Sequence, residues 1–544
     1  MIHGDITKIN LGTASFERII THNSFFIDKS KFIEHVIRDS NTVILITRPR
    51  RSGKSLNLDM LRCFLTDKSD NRNLFKGLYI ENSCVWEKIN SALVFSFSFK
   101  NMNAANYRSK LFLQVYTEFY NHFDDSQLSK ANRFKWDMYC DQRGADSDGL
   151  LLLSELAYYI TGKRPYILID EYDKVLRDYY NADEYDVIFE HIKQFLSAGM
   201  KDNSFLEKAV LTGVLRISYE SMFSDLNNIK TYDMYGDQVY TDDYGITDEE
   251  MDEIQAFVPL DRKKIHQWYN GIKINQKPIY NIYSVSAFLD SRRYECYWGS
   301  SKLLEMTIEL MNENRRQVIL EFLNGEQNEV PVDTRVSLKQ LWEKRDDSSF
   351  YSFLIQGGYL ALDKLVPEKY SAMASIPNIE LSDVWKRFIL TYFYPEHRKI
   401  MTMFDNADNL SLLSKDIERF INDSLSYFDL SVHKGEEAGK IWERVYHIFV
   451  LGILAAYSDT KYIKPVSEGE GGDGRYDILY QRGNAYFIFE FKSCNEVKQL
   501  KMHAHEALNQ ITTKRYAARL DPDRPIIKVG IAVYGKQCKV ICGR

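Results

Sequence analysis

The chain has 544 residues, 44% of them hydrophobic, 27% charged and 14% aromatic, which excludes a disordered or fibrous polymer and, by length, a single small domain. Its formal net charge of -6 excludes the overall basic footprint of a constitutive nucleic-acid binder, so any such surface must be local. Seven cysteines without a CxxC pair point to reduced thiols rather than a disulfide or structural-zinc framework.

The N-terminus, MIHGDITKIN, is polar, and the most apolar stretch, IFVLGILAAY, is too short to span a bilayer. A cytoplasmic protein without export signal or membrane span is expected. Four short apolar runs, TVILIT from Thr42, LVFSFSF from Leu93, YILI from Tyr166 and AVLT from Ala209, are separated by helix-length segments. That alternation predicts a parallel α/β sheet domain over residues 1–240. From 241 to 435 the pattern is mostly helical, opening with a capping box of Thr247 and Glu250. Residues 436–544 read as a smaller domain in which KGEE at Lys434–Glu437 precedes a helix, followed by a Gly-rich segment and a hairpin.

The run TVILITRPRRSGKSLNLDMLRCFL sets a buried strand, a tight loop and an amphipathic helix in the order a phosphate loop needs. Backbone N–H groups from Gly53 onward, with Arg51 and Ser52 just before it, can wrap a phosphate. Lys54 can reach the β- and γ-phosphates of ATP, and the Ser55 hydroxyl can hold Mg2+. The pattern GxxxxGK[ST] asks for glycine where this chain has Arg48, which leaves a basic strand-to-helix turn as the competing reading. A second motif, YILIDEYDKVL, ends a strand in Asp170, which can orient Mg2+, and Glu171, which can polarise the attacking water. Its competing reading is an acidic first turn of a helix. A third strand, AVLTGVLRIS, presents Thr212 and Arg216 for sensing the γ-phosphate.

In RYDILYQRGNAYFIFEFKSCN two strands flank a short turn, and alternation puts Glu490 and Lys492 on one face with Phe489 and Phe491 on the other. Asp477 lies on the partner strand. Two carboxylates bind a hard divalent ion, and Lys492 can orient water or stabilise the phosphorane, which is the equipment for phosphodiester hydrolysis. A solvent-facing Glu/Lys pair on an edge hairpin is the alternative. Downstream, Lys514, Arg515 and Tyr516 can meet phosphates and stack on a base or sugar, or they form a solvated helix face.

Taken together, RPRRSGKSLNLDML, LIDEYD, LTGVLRIS and WYNGIKI resemble the AAA-ATPase-like proteins fused to a C-terminal PD-(D/E)XK nuclease domain. The similarity continues through YWGSS, FLIQGGYLAL and SIPNIEL, to which no chemistry attaches. The family often carries RPRRFGKS, which makes Arg48 a family feature. The resemblance implies an N-terminal P-loop sheet, a mostly helical middle and a C-terminal α/β restriction-endonuclease-like domain, with Asp477, Glu490 and Lys492 as its D…ExK set. It also implies Glu443 on the preceding helix as a metal ligand with His447 beside it, Gln510 in support, and the loop bearing Glu470 and Arg475 near the site. ATP, Mg2+ and nucleic acid, DNA first, are the implied ligands. A homo-oligomer in which Arg216 or one of Arg48, Arg50 and Arg51 acts across an interface is implied too. ATP-regulated DNA cleavage is the expected function; a regulatory ATPase with a non-cleaving nuclease-like end is the alternative.

Overall fold

The computed structural model describes residues 2–180, 182–216, 228–236, 238–299, 302–323, 325–336, 338–393, 403–404, 409–424, 438–456 and 465–544. The Lys434–Glu437 segment lies outside them. The chain divides into two compact units, one of Met1–Leu310 with Gln327–Leu381 and one of Met311–Glu326 with Ser382–Arg544. Residues 241–310 and 327–381 fall in the first of these, and 311–326 in the second.

In the first unit, β1 (Val43–Thr47), β2 (Val94–Ser98), β3 (Tyr166–Asp170), β4 (Lys208–Gly213) and β5 (Ile229–Tyr232) form a wholly parallel sheet in the order β2-β3-β4-β1-β5. Every residue of β1 and β4 is buried, as interior strands of a covered parallel sheet must be. The fifth strand, IKTY, is too short and polar to stand out in the sequence. Because Ile46 pairs with Thr212, and Ile169 with Leu211, the carboxyl ends of β1, β3 and β4 lie side by side. Ligands of open α/β sheets bind in the crevice beyond such ends. Helix α1 (Lys54–Leu65) follows β1 there, after a loop that Gly53 closes at φ 97°, where a side chain would be strained.

The rest of this unit is mostly helical. Its opening helix, Asp248–Phe257, carries the expected capping box: the Thr247 hydroxyl accepts from Glu250 N at 3.3 Å and Glu250 accepts from Thr247 N at 2.8 Å. Short strands also occur, in a hairpin at Ile272–Ile274 and Lys277–Ile279 and in a three-stranded antiparallel sheet of Asn328–Pro331, Ser371–Ser375 and Ala361–Val366. The motifs without assigned chemistry prove to be framework. Asn378 of SIPNIEL donates to the Asn270 carbonyl of WYNGIKI at 2.7 Å. Glu380, of the same segment, accepts from Tyr297 N (2.7 Å), Trp298 N (2.8 Å) and the Ser284 hydroxyl (3.0 Å). Gly358 of FLIQGGYLAL packs on Pro49 and Trp298, where a Cβ would come within 2.9 Å of the proline ring.

Burial pushes Glu380 up to about 7, and its Oε2 has no hydrogen-bond partner. An acid whose folded-state value is raised disfavours folding once it must ionise, so its penalty is absent below the ordinary value of 4.5 and grows as pH rises through 7. Glu380→Gln is expected to remove that loss. Relative to the parent, the variant should gain up to about 3 kcal/mol between pH 5 and pH 8. Urea unfolding at the two pH values measures this, and equal pH dependence in both proteins contradicts it.

In the second unit, β6 (Val466–Gly471), β7 (Gly474–Arg482), β8 (Ala485–Ser493), β9 (Ile526–Tyr534) and β10 (Gln537–Gly543) form a sheet in that order. Only β8 and β9 are parallel, and helix α3 (Leu500–Thr513) makes their crossover. Helix α2 (Ala438–Ala456) precedes the sheet. Gly530 pairs with Glu490 in the β8–β9 ladder. A Cβ on it would meet Ala504 O at 2.3 Å and Leu508 N at 2.6 Å, so the absent side chain is what lets α3 lie on the sheet.

The edge strand β10 is covered by side chains. Ser414, Glu418 and Asn422, one helical turn apart on Leu410–Ser424, accept from the N–H groups of Cys542 (3.0 Å), Val540 (3.1 Å) and Cys538 (3.0 Å). Edge strands left open invite pairing with other chains. Glu418→Ala strips Val540 N–H and Lys539 of their acceptor and should cost about 1–3 kcal/mol in denaturant unfolding; an unchanged midpoint counts against this role. None of the seven cysteines is in a disulfide, and no described helix is long and apolar enough to cross a membrane.

Candidate active sites

Beyond the carboxyl ends of β1, β3 and β4 lies a cavity of about 540 Å3 whose walls include Arg50, Arg51, Gly53, Lys54, Ser55 and Glu171. Its size suits a nucleotide-scale ligand. The Ser55 hydroxyl donates to Asp170 Oδ2 at 2.6 Å, and the Thr212 hydroxyl donates to Asp170 Oδ1 at 2.8 Å. Loop, acid and third strand thus meet at one carboxylate. Thr212 is wholly buried. Its hydroxyl is committed to Asp170, and the residue is not among those lining the cavity. Glu171 follows at φ 51°, a left-handed conformation costly for a side-chain-bearing residue. Burial first, then the neighbouring Asp170 carboxylate, raise its pKa.

Lys54 folds back on its own loop, donating to Arg48 O at 3.0 Å and Pro49 O at 2.7 Å. Burial lowers its ammonium to about 8 against the pull of Asp170, Asp173 and Glu171. A bound anion would reverse that shift. Ser52 is buried beneath the loop, its carbonyl accepting from Gly245 N at 3.2 Å, and does not line the cavity.

The arginines separate sharply. Arg48 is fully buried, donates to the carbonyls of Thr47, Tyr232, Asp233 and Tyr240 at 2.9–3.3 Å and sits over the Tyr244 ring. The side chain standing in place of the first loop glycine is therefore a cross-link from β1 to the segment after β5. A role across an interface is closed to it. Arg216 is buried too, 3.8 Å from Asp233, and does not line the cavity. Arg50 is exposed. Arg51 lies over the Tyr283 ring at 4.2 Å and donates to the Tyr297 carbonyl.

In the second unit, the β7–β8 ladder pairs Ile478 with Phe489 and stops one residue short of Asp477 and Glu490. There the Asp477 side chain takes over, accepting from Phe491 N at 2.7 Å. Glu490 is buried and accepts from Gln510 of α3 through Oε1, while Oε2 has no partner. Burial, then the Asp477 carboxylate, push Glu490 up to about 8, with Lys492 pulling it down and Glu443 adding to the rise. Glu443 of α2 accepts from Ser493 N at 3.0 Å and from the Ser493 hydroxyl at 3.3 Å; burial foremost raises it as well. His447, one turn along, bonds the Asp477 carbonyl at 3.1 Å. The four residues Glu443, Asp477, Glu490 and Lys492 therefore share one electrostatic site.

Among the described residues no group of three or more His, Cys, Asp or Glu forms a ready-made metal site, and Asp477 and Glu443 each accept from a β8 N–H group. The donor set still fits a hard divalent cation: three carboxylates share a buried site, and Glu490 has an oxygen with nothing bound to it. Tyr516 is 3% exposed, packs with Tyr476, Ile488 and Ile511, and receives a hydrogen bond from Gln510 at 3.0 Å. Stacking on a nucleic-acid base is thus excluded. The helix ends at Thr513, and Arg515, at φ 53°, turns the chain so that Tyr516 enters the core. Lys514, Arg515, Glu470 and Arg475 remain exposed. Glu470 pairs with Arg475 across β6 and β7, and Asp473 N donates to the Lys514 carbonyl at 2.8 Å, so the Gly-rich turn rests on the end of α3.

Residues 10–223 match the family model described as a predicted AAA-ATPase, and residues 441–542 match the PD-(D/E)XK nuclease superfamily. An uncharacterized protein from the vnfD 5' region of Azotobacter chroococcum mcd 1 is 25% identical over 522 residues, covering 94% of this chain and 93% of its own length. Among solved structures, the Walker-type ATPase paby2304 of Pyrococcus abyssi aligns at 12% identity with a TM-score of 0.33, over 66% of this chain and 94% of that one.

Proposed function

For a chain that carries an AAA-ATPase-like domain followed by a PD-(D/E)XK nuclease-superfamily domain, we propose an ATP-binding and ATP-hydrolysing protein whose second domain is a metal-dependent phosphodiesterase that cuts DNA under nucleotide control. The observation that carries the first half is the convergence of Ser55 and Thr212 on the Asp170 carboxylate, beside a cavity that Lys54, Ser55 and Glu171 line. Lys54 releases the Arg48 and Pro49 carbonyls to bind the β- and γ-phosphates, backbone N–H groups at the start of α1 complete the cradle, and Glu171 takes the proton of the attacking water. In the second half Lys492 positions the attacking water, and Gln510 holds the Glu490 carboxylate in place. Mg2+, held by Ser55 and Asp170 in one site and by Asp477, Glu490 and Glu443 in the other, supplies charge neutralisation on phosphate oxygens when bound.

Residues 465–544 contain 13 Lys and Arg against 9 Asp and Glu, a net of four positive charges in a chain whose total is -6. Exposed Arg475, Lys514 and Arg515 supply phosphate contacts within that bias. A cytoplasmic location and self-association belong to the same reading. The deciding experiment incubates the purified chain with DNA, with and without ATP and Mg2+, beside Lys54→Ala and Glu490→Gln. Cleavage that needs both ligands, and is lost in both variants, is the expected result. Cleavage indifferent to ATP and to Lys54→Ala ends the regulatory part.

One observation favours a second reading. Asp477 and Glu443 are both occupied by backbone N–H groups, as they would be in a domain that binds nucleic acid without cutting it. That reading requires ATP turnover with no Mg2+-dependent nicking, and DNA affinity unchanged by Glu490→Gln.

A further inference from the structure

We propose that Arg177 is the γ-phosphate contact of the nucleotide site and that it acts in cis, on the nucleotide held by Lys54 of the same protomer. The inference rests on the ATP-binding reading above and adds to it a residue that no motif singled out. Arg177 lies on the short helix Lys174–Asp178, one turn beyond the Asp170–Glu171 pair. It is 4% exposed, yet it lines the cavity together with Lys54, Ser55 and Glu171. A guanidinium taken out of water is costly unless its charge is matched; here Asp173, Asp178 and Glu171 match the charge but leave part of the hydrogen-bonding fork unused. Nη1 donates to Asp173 at 2.6 Å, whereas Nη2 makes no hydrogen bond among the described residues.

Asp173 is itself fixed. It is fully buried and its Oδ2 also accepts from Val214 N (3.2 Å) and Leu215 N (3.1 Å), at the end of β4. The carboxylate that aims Arg177 is therefore bolted to the strand that bears Thr212, which in turn orients Asp170. A planar, permanently charged fork held by one edge leaves the other for a second anion. The charges that Arg177 faces are Asp173, Asp178 and Glu171, with Lys54 the neighbouring cation. Among the other arginines, Arg48 and Arg216 are committed to buried partners, while Arg51, held by Tyr283 and Tyr297, and the exposed Arg50 also line the cavity but are not aimed by a buried carboxylate as Arg177 is. An arginine supplied within the same chain is a known solution to stabilising charge on a transferring phosphoryl group.

The test measures affinities for ADP and for a non-hydrolysable ATP analogue with Mg2+, by titration calorimetry on the full chain. In Arg177→Gln the analogue should bind about 10- to 100-fold more weakly, as expected for one lost charge-assisted bond, while ADP affinity stays within about twofold. Lys54→Ala should weaken both. Arg177→Lys keeps the ion pair with Asp173 and loses the fork, so it gives the same selective loss even where the glutamine variant fails to fold. Equal weakening of ADP and analogue, or no weakening of either, overturns the proposal. Restoration of ATP turnover in Arg177→Gln by excess Lys54→Ala protein overturns action in cis. Parent protein that binds neither nucleotide fails at the earlier step and overturns the ATP reading itself.

Discussion

Glu490→Gln is expected to lower Mg2+-dependent DNA cleavage on the order of a thousandfold, the rate equivalent of about 4 kcal/mol of lost stabilisation of phosphoryl charge. The substitution conserves volume and keeps an oxygen for Gln510, so the Glu490–Gln510–Tyr516 chain of hydrogen bonds survives it. What it removes is the negative charge that a metal would balance. In the metal-free protein that charge is a burden, because burial and the Asp477 carboxylate hold Glu490 up to about 8. Its folded-state value is raised above the ordinary 4.5, so the penalty is absent below that pH and grows as pH rises toward 8. The variant should therefore be at least as stable as the parent at pH 8 without metal, and thermal unfolding separates lost chemistry from lost fold. Added Mg2+ should stabilise the parent and not the variant. Undiminished nicking by Glu490→Gln would remove the carboxylate from the reaction.

Lys54→Ala is expected to weaken ATP and ADP binding on the order of 100-fold or more, since each charge-assisted bond to a phosphate contributes about 1.5–3 kcal/mol. In the structure the ammonium bonds two carbonyls of its own loop and is lowered to about 8 by burial. Phosphate would replace those neutral acceptors with charged ones, and that exchange is the source of the affinity. Titration of a fluorescent nucleotide measures it, and unchanged affinity would mean that the loop does not serve phosphate. If DNA cutting is under nucleotide control, the same variant loses it although the Glu490 site is untouched. Loss of nucleotide binding with full cleavage would leave two independent activities in one chain.

The parts of this protein legible without coordinates are those that local sequence encodes. Continuous apolar runs had to be covered parallel strands, and four of the five appear where their pattern places them. Thr247 and Glu250 cap their helix because both bonds close within four residues. The spacing of Gly53, Lys54 and Ser55 after a buried strand, and of Glu490 and Lys492 on a hairpin, reflects backbone periodicity, which neighbouring residues carry. The short strands of the middle region were missed because three to six residues carry too little alternation to distinguish them from loops.

Tertiary structure alone decided what the long side chains do. Arg48, Arg51 and Arg216 are equivalent on the page of a sequence, but each guanidinium reaches several ångströms from its backbone and finds a partner well along the chain: Tyr232 and Tyr240 for Arg48, Tyr297 for Arg51, Asp233 for Arg216. The order β2-β3-β4-β1-β5 turned Thr212 toward Asp170, and the turn at Arg515 buried Tyr516 beneath the Gln510–Glu490 contact. The strand, loop and helix around Gly53 and the placement of the two carboxylate pairs were therefore readable from sequence, because short-range spacing specifies them. Which arginines line the cavity and which are tied into the fold, and which aromatic ring supports the second site, were not, because burial and strand order set those directions through residues that lie up to 246 positions away.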